Sequence, residues 1–266
     1  MRIDLYLVEN GIVKSRERAK EHIKNGDVRV NGEVVVKPSY NISDGDDVLF
    51  TGNPLGYVGR GGLKLEKAIR VFKPRLEGRV CMDIGASTGG FTDCMLKNGA
   101  KLVYAVDVGH DQLDPILAEN PCVVNMEDTN INSTSPSDFD PAPSFFSVDV
   151  SFVSLKNIIP KIAELIPQNG EAVFLIKPQF EVGKSDIGKR GIVKDRKAHI
   201  RVINEIIVFC SVNGLAVKGL DYSPISGGDG NIEYFAYITP NTENQAAFDV
   251  KHIVDAAFSD LKRKEK

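Results

Sequence analysis

Four ionisable side chains stand where a fold could gather them for proton transfer. Lys177 closes the apolar run Ala172-Val173-Phe174-Leu175-Ile176 and is followed by Pro178. Asp149 closes Phe145-Phe146-Ser147-Val148, Glu233 opens the last apolar run after a glycine-rich loop, and Lys64 lies in a helical pattern just ahead of the first long strand. A lysine at the end of a buried strand is desolvated, and a neighbouring cation adds to the pressure toward the neutral amine, the form that can act as a general base. Lys64 could be that cation. The ordinary alternative for each is a surface residue on a flexible stem, and for Lys64 taken alone that alternative is the better one.

A second constellation lies around a glycine turn. Val80-Cys81-Met82-Asp83-Ile84 is a short buried strand that runs into Gly85-Ala86-Ser87-Thr88-Gly89-Gly90, and Phe91-Thr92 continue into a helix. Such a turn offers free backbone amides to a ligand at the carboxyl end of the strand. A dinucleotide fingerprint needs glycine two positions after Gly85, where this sequence has Ser87. Asp83, ahead of the first glycine, would repel a pyrophosphate and suits a cationic amino-acid end group such as that of S-adenosyl-L-methionine. Asp107 ends the strand Val103-Tyr104-Ala105-Val106 at the place that accepts from a ribose diol, and Glu127-Asp128 follow the next strand and could reach an adenine amine. One acid at one strand end is ordinarily a cap or loop residue. Acids at successive strand ends behind one glycine turn are harder to dismiss, so the expected cofactor contacts are Asp83, Gly85, Ser87, Gly89, Gly90, Phe91, Asp107, Glu127 and Asp128.

The elements that must position these groups follow from periodicity. Strands are predicted near 80–84, 102–107, 122–126, 144–149, 171–177, 215–222 and 233–239, and helices near 63–72, 89–98, 111–119, 153–166 and 195–213. The alternation implies an α/β fold, a mainly parallel sheet with helices on both faces. The loop from Ser223 to Asn231 has no room for a helix, so the last two strands should pair antiparallel, the ending of a class I, Rossmann-like methyltransferase sheet. The charged tail after Ala257 reads as a terminal helix that frays.

A small α+β domain over 1–52 is predicted ahead of this sheet. Apolar residues at helical spacing from Leu5 to Lys24 suggest helix, turn, helix, with Ser15 capping the second. Asn31-Gly32 supplies a tight hairpin turn between Val28-Arg29-Val30 and Glu33-Val34-Val35-Val36, and Asp47-Val48-Leu49-Phe50 is a third strand. Lys14, Arg16, Arg18, Lys20, Lys24 and Arg29 gather on the second helix and the strand after it, and Lys37 could extend the track along a phosphate backbone. The plainer reading is a solvated face with local pairs to Glu17 and Glu21. A glycine-rich linker over 53–62, which carries Arg60 as a further candidate RNA contact, would separate this domain from a second one over 63–266.

Composition bounds the rest. The 266 residues are 42% hydrophobic and 26% charged with a net charge of -3, which argues against a protein that coats nucleic acid indiscriminately, so any RNA contact must be local. Cys81, Cys94, Cys122 and Cys210 form no CxxC pair, and His22, His110, His199 and His252 show no ligand spacing, so no metal site is expected. Asp4 stands where a signal peptide would need its apolar region, and no apolar run approaches a bilayer span; a cytoplasmic protein without stable membrane insertion is expected.

Two resemblances sharpen these readings. Arg2, Asp4, Leu5, Gly11, Ser15-Arg16, Ala19, Ile23, Gly26, Val28, Val30-Asn31-Gly32, Lys37-Pro38 and Asp47-Val48 resemble the RNA-binding module first described in ribosomal protein S-four. Lys64, Asp149, Lys177 and Glu233 match, in order and element, the Lys-Asp-Lys-Glu tetrad of FtsJ-like ribose 2′-O-methyltransferases. With Val58-Gly59-Arg60-Gly61-Gly62-Leu63-Lys64, Asp149-Val150-Ser151-Phe152, Ile176-Lys177-Pro178-Gln179-Phe180-Glu181 and Gly230-Asn231-Ile232-Glu233-Tyr234, nearly the whole chain is similar to the TlyA family, often labelled haemolysin. The resemblance implies methylation of cytidine ribose in ribosomal RNA, on one or both ribosomal subunits, with S-adenosyl-L-methionine as cofactor. It further implies that Lys177 takes the 2′-hydroxyl proton, Lys64 favours its neutral form, Asp149 orients it and Glu233 holds the pair. Asn132 departs from the arginine expected there. The loop from Gln179 to Gly191 is a candidate lid. The rival readings are a membrane-active haemolysin, a catalytically silent ribosome-assembly factor and a small-molecule methyltransferase.

Overall fold

The computed structural model describes residues 1–13, 15–52, 56–183, 186–188, 190–227, 230–240 and 245–264, with side chains to Leu261 in the final helix. The chain divides into two compact units, Met1–Gly56 and Tyr57–Lys266.

In the smaller unit, α1 (Ile3–Glu9) and α2 (Arg16–Lys24) precede β1 (Val28–Val30), β2 (Glu33–Val34) and β3 (Val48–Phe50). The Ser15 hydroxyl accepts from the Arg18 amide at 3.3 Å and so starts α2 as the sequence suggests. Asn31 and Gly32 both take positive φ (52° and 84°), the conformation of a tight hairpin turn. The sheet order is β2-β1-β3, all antiparallel. Ile3, Leu7, Ala19, Ile23, Val28 and Val30 form its core. Within that core Asp4 is wholly buried and ion-paired to Arg2 and Arg16, which hold its carboxyl below the ordinary carboxylate value.

The larger unit is built from α3 (Gly61–Phe72), β4 (Val80–Ile84), α4 (Gly90–Lys97), β5 (Leu102–Val106), α5 (Pro115–Ala118), β6 (Val123–Met126), β7 (Phe145–Val148), α6 (Ile159–Leu165), β8 (Glu171–Ile176), α7 (Pro178–Glu181), α8 (Arg196–Val212), β9 (Ala216–Tyr222), β10 (Tyr234–Thr239) and α9 (Val250–Lys264). Its sheet runs β6-β5-β4-β7-β8-β10-β9, parallel from β6 through β8, with β10 antiparallel to both β8 and β9. Strand order reverses between β4 and β7, so the turn after β4 and the end of β7 flank the switch point where such sheets take ligands. Alternate strand residues feed two cores: Met82, Ile84, Tyr104 and Phe174 face α6, α8 and α9, while Cys81, Val103, Phe145 and Val173 face α3 and α4.

Three differences from the sequence reading have physical causes. The helix expected over 111–119 shrinks to α5 because the Glu127 carboxylate takes the Gln112 and Leu113 amides, leaving Asp114 to cap a helix that starts on Pro115. Of the segment 53–62, residues from Tyr57 belong to the larger unit: the Tyr57 hydroxyl donates to Glu66 at 3.2 Å, the Val58 amide to Asp93 at 2.9 Å, and α3 already begins at Gly61. The C-terminal tail does not merely fray. In α9, Val250, Val254, Ala257, Phe258 and Leu261 are buried, and Phe258 packs edge-on against His199, ring centroids 5.0 Å apart. Truncation of Phe258 to Ala should therefore cost about 3–5 kcal/mol in urea unfolding. A change within the noise would show that α9 is dispensable.

Candidate active site

The turn after β4 is held from both sides. Gly85 (φ +82°) and Ala86 donate to the Val106 carbonyl at 2.9 and 3.2 Å, and Ser87 donates its amide to an Asp107 carboxylate oxygen at 2.8 Å. A Cβ on Gly85 would lie 2.5 Å from the Asp149 carbonyl, so glycine is what lets this turn pass the end of β7. Gly89 (φ +89°) is likewise required, since a Cβ there would meet Leu117 at 2.3 Å. The other Asp107 oxygen accepts from Gly109 at 2.8 Å. Asp107 thus fixes the turn and the loop after β5 while remaining partly exposed.

Several residues expected at the cofactor have partners within the chain. Asp83 is wholly buried: its carboxylate accepts from the hydroxyls of Thr92 (2.7 Å) on α4 and Ser147 (2.9 Å) on β7. Burial pushes its pKa up to about 7, with the two hydroxyl donors opposing that rise. It anchors the turn from beneath and does not reach the open face. Phe91 is a core residue packed with Leu65 and Cys94, because the first turn of α4 lies against α3, and Gly90 is buried at the same place. Glu127 is committed to Gln112, Leu113 and the Asn125 amide, which hold its carboxyl below the ordinary value. Asp128 is exposed and bonded to His110 at 2.8 Å, and that bond raises the imidazole pKa. A cleft of about 560 Å³ beside the turn is lined by Val58, Thr88, Gln112, Leu113, Asn125 and Glu127 among others.

Along the carboxyl edge of the sheet the four predicted proton-handling residues form two ion pairs. Lys177 Nζ lies 2.5 Å from Asp149 Oδ1, and Lys64 Nζ lies 2.6 Å from Glu233 Oε2. The side chains of Lys177 and Glu233 are only 9% and 2% exposed, so each charge depends on its partner. Gly227 makes room for the Glu233 carboxylate, 2.6 Å from where its Cβ would stand. Lys64 is therefore a neutralised cation and not a bare one. Glu233 is the ion-pair partner of Lys64, and Asp149 that of Lys177. Antiparallel pairing of Tyr234 with Ile176 puts the two pairs on adjacent strands. The arrangement can keep an amine at a strand end, shed of water and oriented by a carboxylate.

Three further residues enter the sequence reading only as members of motifs, with no role of their own. Ser151, two residues past Asp149, accepts from Lys177 Nζ at 2.8 Å. Phe152 is 92% exposed at positive φ (63°), 5.1 Å from the Phe180 ring. Glu181 accepts from the Ser154 hydroxyl (2.5 Å) and the Leu155 amide (2.7 Å), tying the loop after β7 to α7. The polar Ser147 inside an apolar strand was the available sign of a buried partner. At the candidate lid, Lys184, Ser185 and Lys189 lie outside the described residues. Its far end is pinned by Asn231, which accepts from Val193 and donates to Gly191 at 3.0 Å each.

In the smaller unit Lys14 lies outside the described residues. Arg16 is committed to Asp4, and Arg29 donates to Gly32 at 3.1 Å but stays exposed, as do Lys24 and Lys37. Arg18 and Lys20 are half-buried on α2. Arg60 is instead the N-cap residue of α3, in the larger unit. Among the described residues no group of three His, Cys, Asp or Glu could hold a metal, and no helix is long and apolar enough to cross a membrane.

A parallel sheet with an antiparallel β10, a glycine turn at its switch point and lysine–carboxylate pairs along the same edge define a Rossmann-like methyltransferase domain. Comparison with known proteins agrees. Residues 57–239 match the FtsJ-like methyltransferase family and residues 1–48 the S4 domain. A Bacillus subtilis protein provisionally named an rRNA methyltransferase, YqxC, is 43% identical over 99% of this chain and 96% of its own length. The 16S/23S rRNA (cytidine-2′-O)-methyltransferase TlyA of Mycobacterium tuberculosis is 36% identical over 96% of this chain and 95% of its own. Hemolysin A of Brachyspira hyodysenteriae is 42% identical over 89% of this chain and 99% of its own. A solved structure from Streptococcus thermophilus, provisionally described as a hemolysin, superposes with a TM-score of 0.80 at 44% identity over 100% of this chain and 98% of that one. The chain belongs to the FtsJ-like methyltransferase family and, within it, to the TlyA and hemolysin A group.

The buried carboxyl of Asp83 makes a pH-dependent contribution to stability. Its folded pKa of about 7 lies above the ordinary 3.8, so the folded state holds the extra proton; the contribution is complete below about pH 4 and disappears as pH rises through 7. Asp83→Asn keeps an acceptor and a donor but no charge. The wild type should lose stability relative to this variant between those pH values in urea unfolding, whereas parallel curves would contradict the assignment.

Proposed function

We propose that the protein is an S-adenosyl-L-methionine-dependent 2′-O-methyltransferase acting on cytidine ribose in ribosomal RNA, in the cytoplasm. The observation that carries this reading is the Lys177 amine, held between Asp149 and Ser151 at the strand edge beside the glycine turn. The activity named for the Mycobacterium tuberculosis relative supports the choice of RNA and of cytidine.

The donor set fits the cofactor. Asp111, Asp114, Glu119 and Glu127 are among the residues that line the cleft beside the turn, and this acidic surround suits a cation with amine and hydroxyl donors and opposes a phosphate. Gly85, Ser87 and Asp107 would hold the cofactor at the open face, with the acidic loops on its adenosine side, while buried Gly89 and Asp83 support the turn from within. When bound, S-adenosyl-L-methionine supplies the sulfonium methyl group that the ribose oxygen takes, leaving a thioether. The chain's own contribution is positioning and proton transfer. Lys177, as the neutral amine, takes the proton of the 2′-hydroxyl, and Asp149 and Ser151 then hold the resulting ammonium. The Lys64–Glu233 pair fills the neighbouring strand end without leaving a bare charge beside it. Phe152, exposed next to Phe180, offers a ring to the target nucleobase.

Exposed Lys24, Arg29 and Lys37, with Lys20, would follow the RNA backbone from the smaller unit. Replacing Lys24 and Arg29 by Ala should weaken rRNA binding and lower the salt slope of log K by about one for each cation removed from a phosphate; an unchanged slope would exclude them from the interface. The proposal itself is tested with Lys177→Ala. Methyl transfer to ribosomal subunits should fall by at least about 100-fold while cofactor binding by calorimetry persists, and undiminished transfer would sink it.

A further inference from the structure

The loop that leaves β7 carries a hydroxyl, that of Ser151, which accepts from Lys177 Nζ before any proton has moved. We propose that Ser151 is a positioning residue for Lys177: its side chain fixes one donor direction of the amine, so that the direction left over faces the substrate hydroxyl. The inference rests on the reading of Lys177 as the proton acceptor.

A lysine ammonium has three donors around its stem. Asp149 Oδ1 is its ion-pair partner at 2.5 Å, and Ser151 Oγ accepts one of these donors at 2.8 Å. Rotation about the terminal bond would break the hydrogen bond to Ser151, so this bond, and not the non-directional ion pair with Asp149, is what sets the amine's orientation. Asp149 alone would leave the amine free to turn about a single partner. Lysine is among the residues with the largest side-chain entropy, so a second fixed partner reduces the orientational cost that proton transfer must otherwise overcome. Ser151 is itself exposed, and water could replace its hydroxyl there only as a weaker, mobile acceptor. What water could not supply is a fixed place.

The loop is built to keep that place. The Asp149 amide donates to the Ile84 carbonyl at 2.9 Å, anchoring the loop's start to β4. At its other end the Ser154 hydroxyl and Leu155 amide donate to Glu181. Glu181 lies on α7, the single turn that starts immediately after Lys177. Ser151 and Lys177 are thus joined twice, by their own hydrogen bond and by the clamp across Glu181. Burial raises the Glu181 carboxyl, and both donors oppose that rise.

The test is single-turnover methyl transfer from S-adenosyl-L-methionine to ribosomal subunits, followed against pH for the wild type and for Lys177→Ala, Ser151→Ala and Ser151→Thr. The charged groups on the surrounding elements are Asp149, Asp83, the Lys64–Glu233 pair and Glu181. The Ser151 variants alter none of them, so a displaced pH limb reports the hydroxyl. Ser151→Ala should slow the plateau rate by about 10- to 100-fold and move the rising limb to lower pH, because the ammonium form no longer has an acceptor that favoured it. Ser151→Thr should restore both. Wild-type kinetics in Ser151→Ala, or a slower rate with an unmoved limb, would overturn the inference. Full activity in Lys177→Ala would overturn the underlying reading as well, so the two failures are told apart.

Discussion

The Asp83 carboxylate joins β4, α4 and β7 at the point where the strand order reverses, and it does so with no exposure to water. A carboxylate so placed is tolerated only if its acceptor positions are filled, and the hydroxyls of Thr92 and Ser147 fill them. That three-way junction determines where β4 ends, how α4 departs and how closely β7 approaches. Gly85 can then turn past the Asp149 carbonyl, and Asp107 can gather the amides of Ser87 and Gly109 on the open side. The open face of the turn is consequently shaped by one carboxylate below it and another beside it.

The same economy governs the edge of the sheet. Both lysines of the site are matched to a carboxylate on a different element, Lys177 to Asp149 and Lys64 to Glu233. Removing one member of such a pair strands the other in a poorly solvated place, which makes the set behave as a unit. The overall charge of -3 is compatible with an RNA substrate because the cations of the smaller unit are local, and Arg16 among them is also ion-paired to Asp4. Affinity for RNA then rests on a small number of cations and should depend on salt accordingly.

The fold and the edge residues were legible in the sequence because each left a local mark. A glycine turn after an apolar strand, an acid or lysine closing the next strands, and a capping serine before a basic helix are short-range signals, and the structure has each element where they put it. What was not legible depends on which way a side chain points across the sheet. Asp83 and Phe91 flank the glycines in sequence, yet strand alternation and helix packing turn both inward. Glu127 closes its strand as expected but is consumed by the amides of Gln112 and Leu113, an interaction between loops that no spacing encodes. The tail was underestimated because charged residues after Ala257 masked the repeat of Val250, Val254, Ala257, Phe258 and Leu261 that buries α9. Ser151 and Phe152 were visible only as members of a motif, and their separate environments emerged with the loop's conformation.

The central claim is that the edge delivers a methyl group to a ribose oxygen and not to a base. A ribose methylated at the 2′ position cannot attack its own phosphate, so alkaline digestion leaves that nucleotide joined to its neighbour. Ribosomal subunits lacking the modification, incubated with the purified protein and cofactor labelled in its methyl group, should yield the label in an alkali-resistant dinucleotide whose 5′ member is cytidine. Label recovered in mononucleotides would place the methyl group on a base and contradict the account.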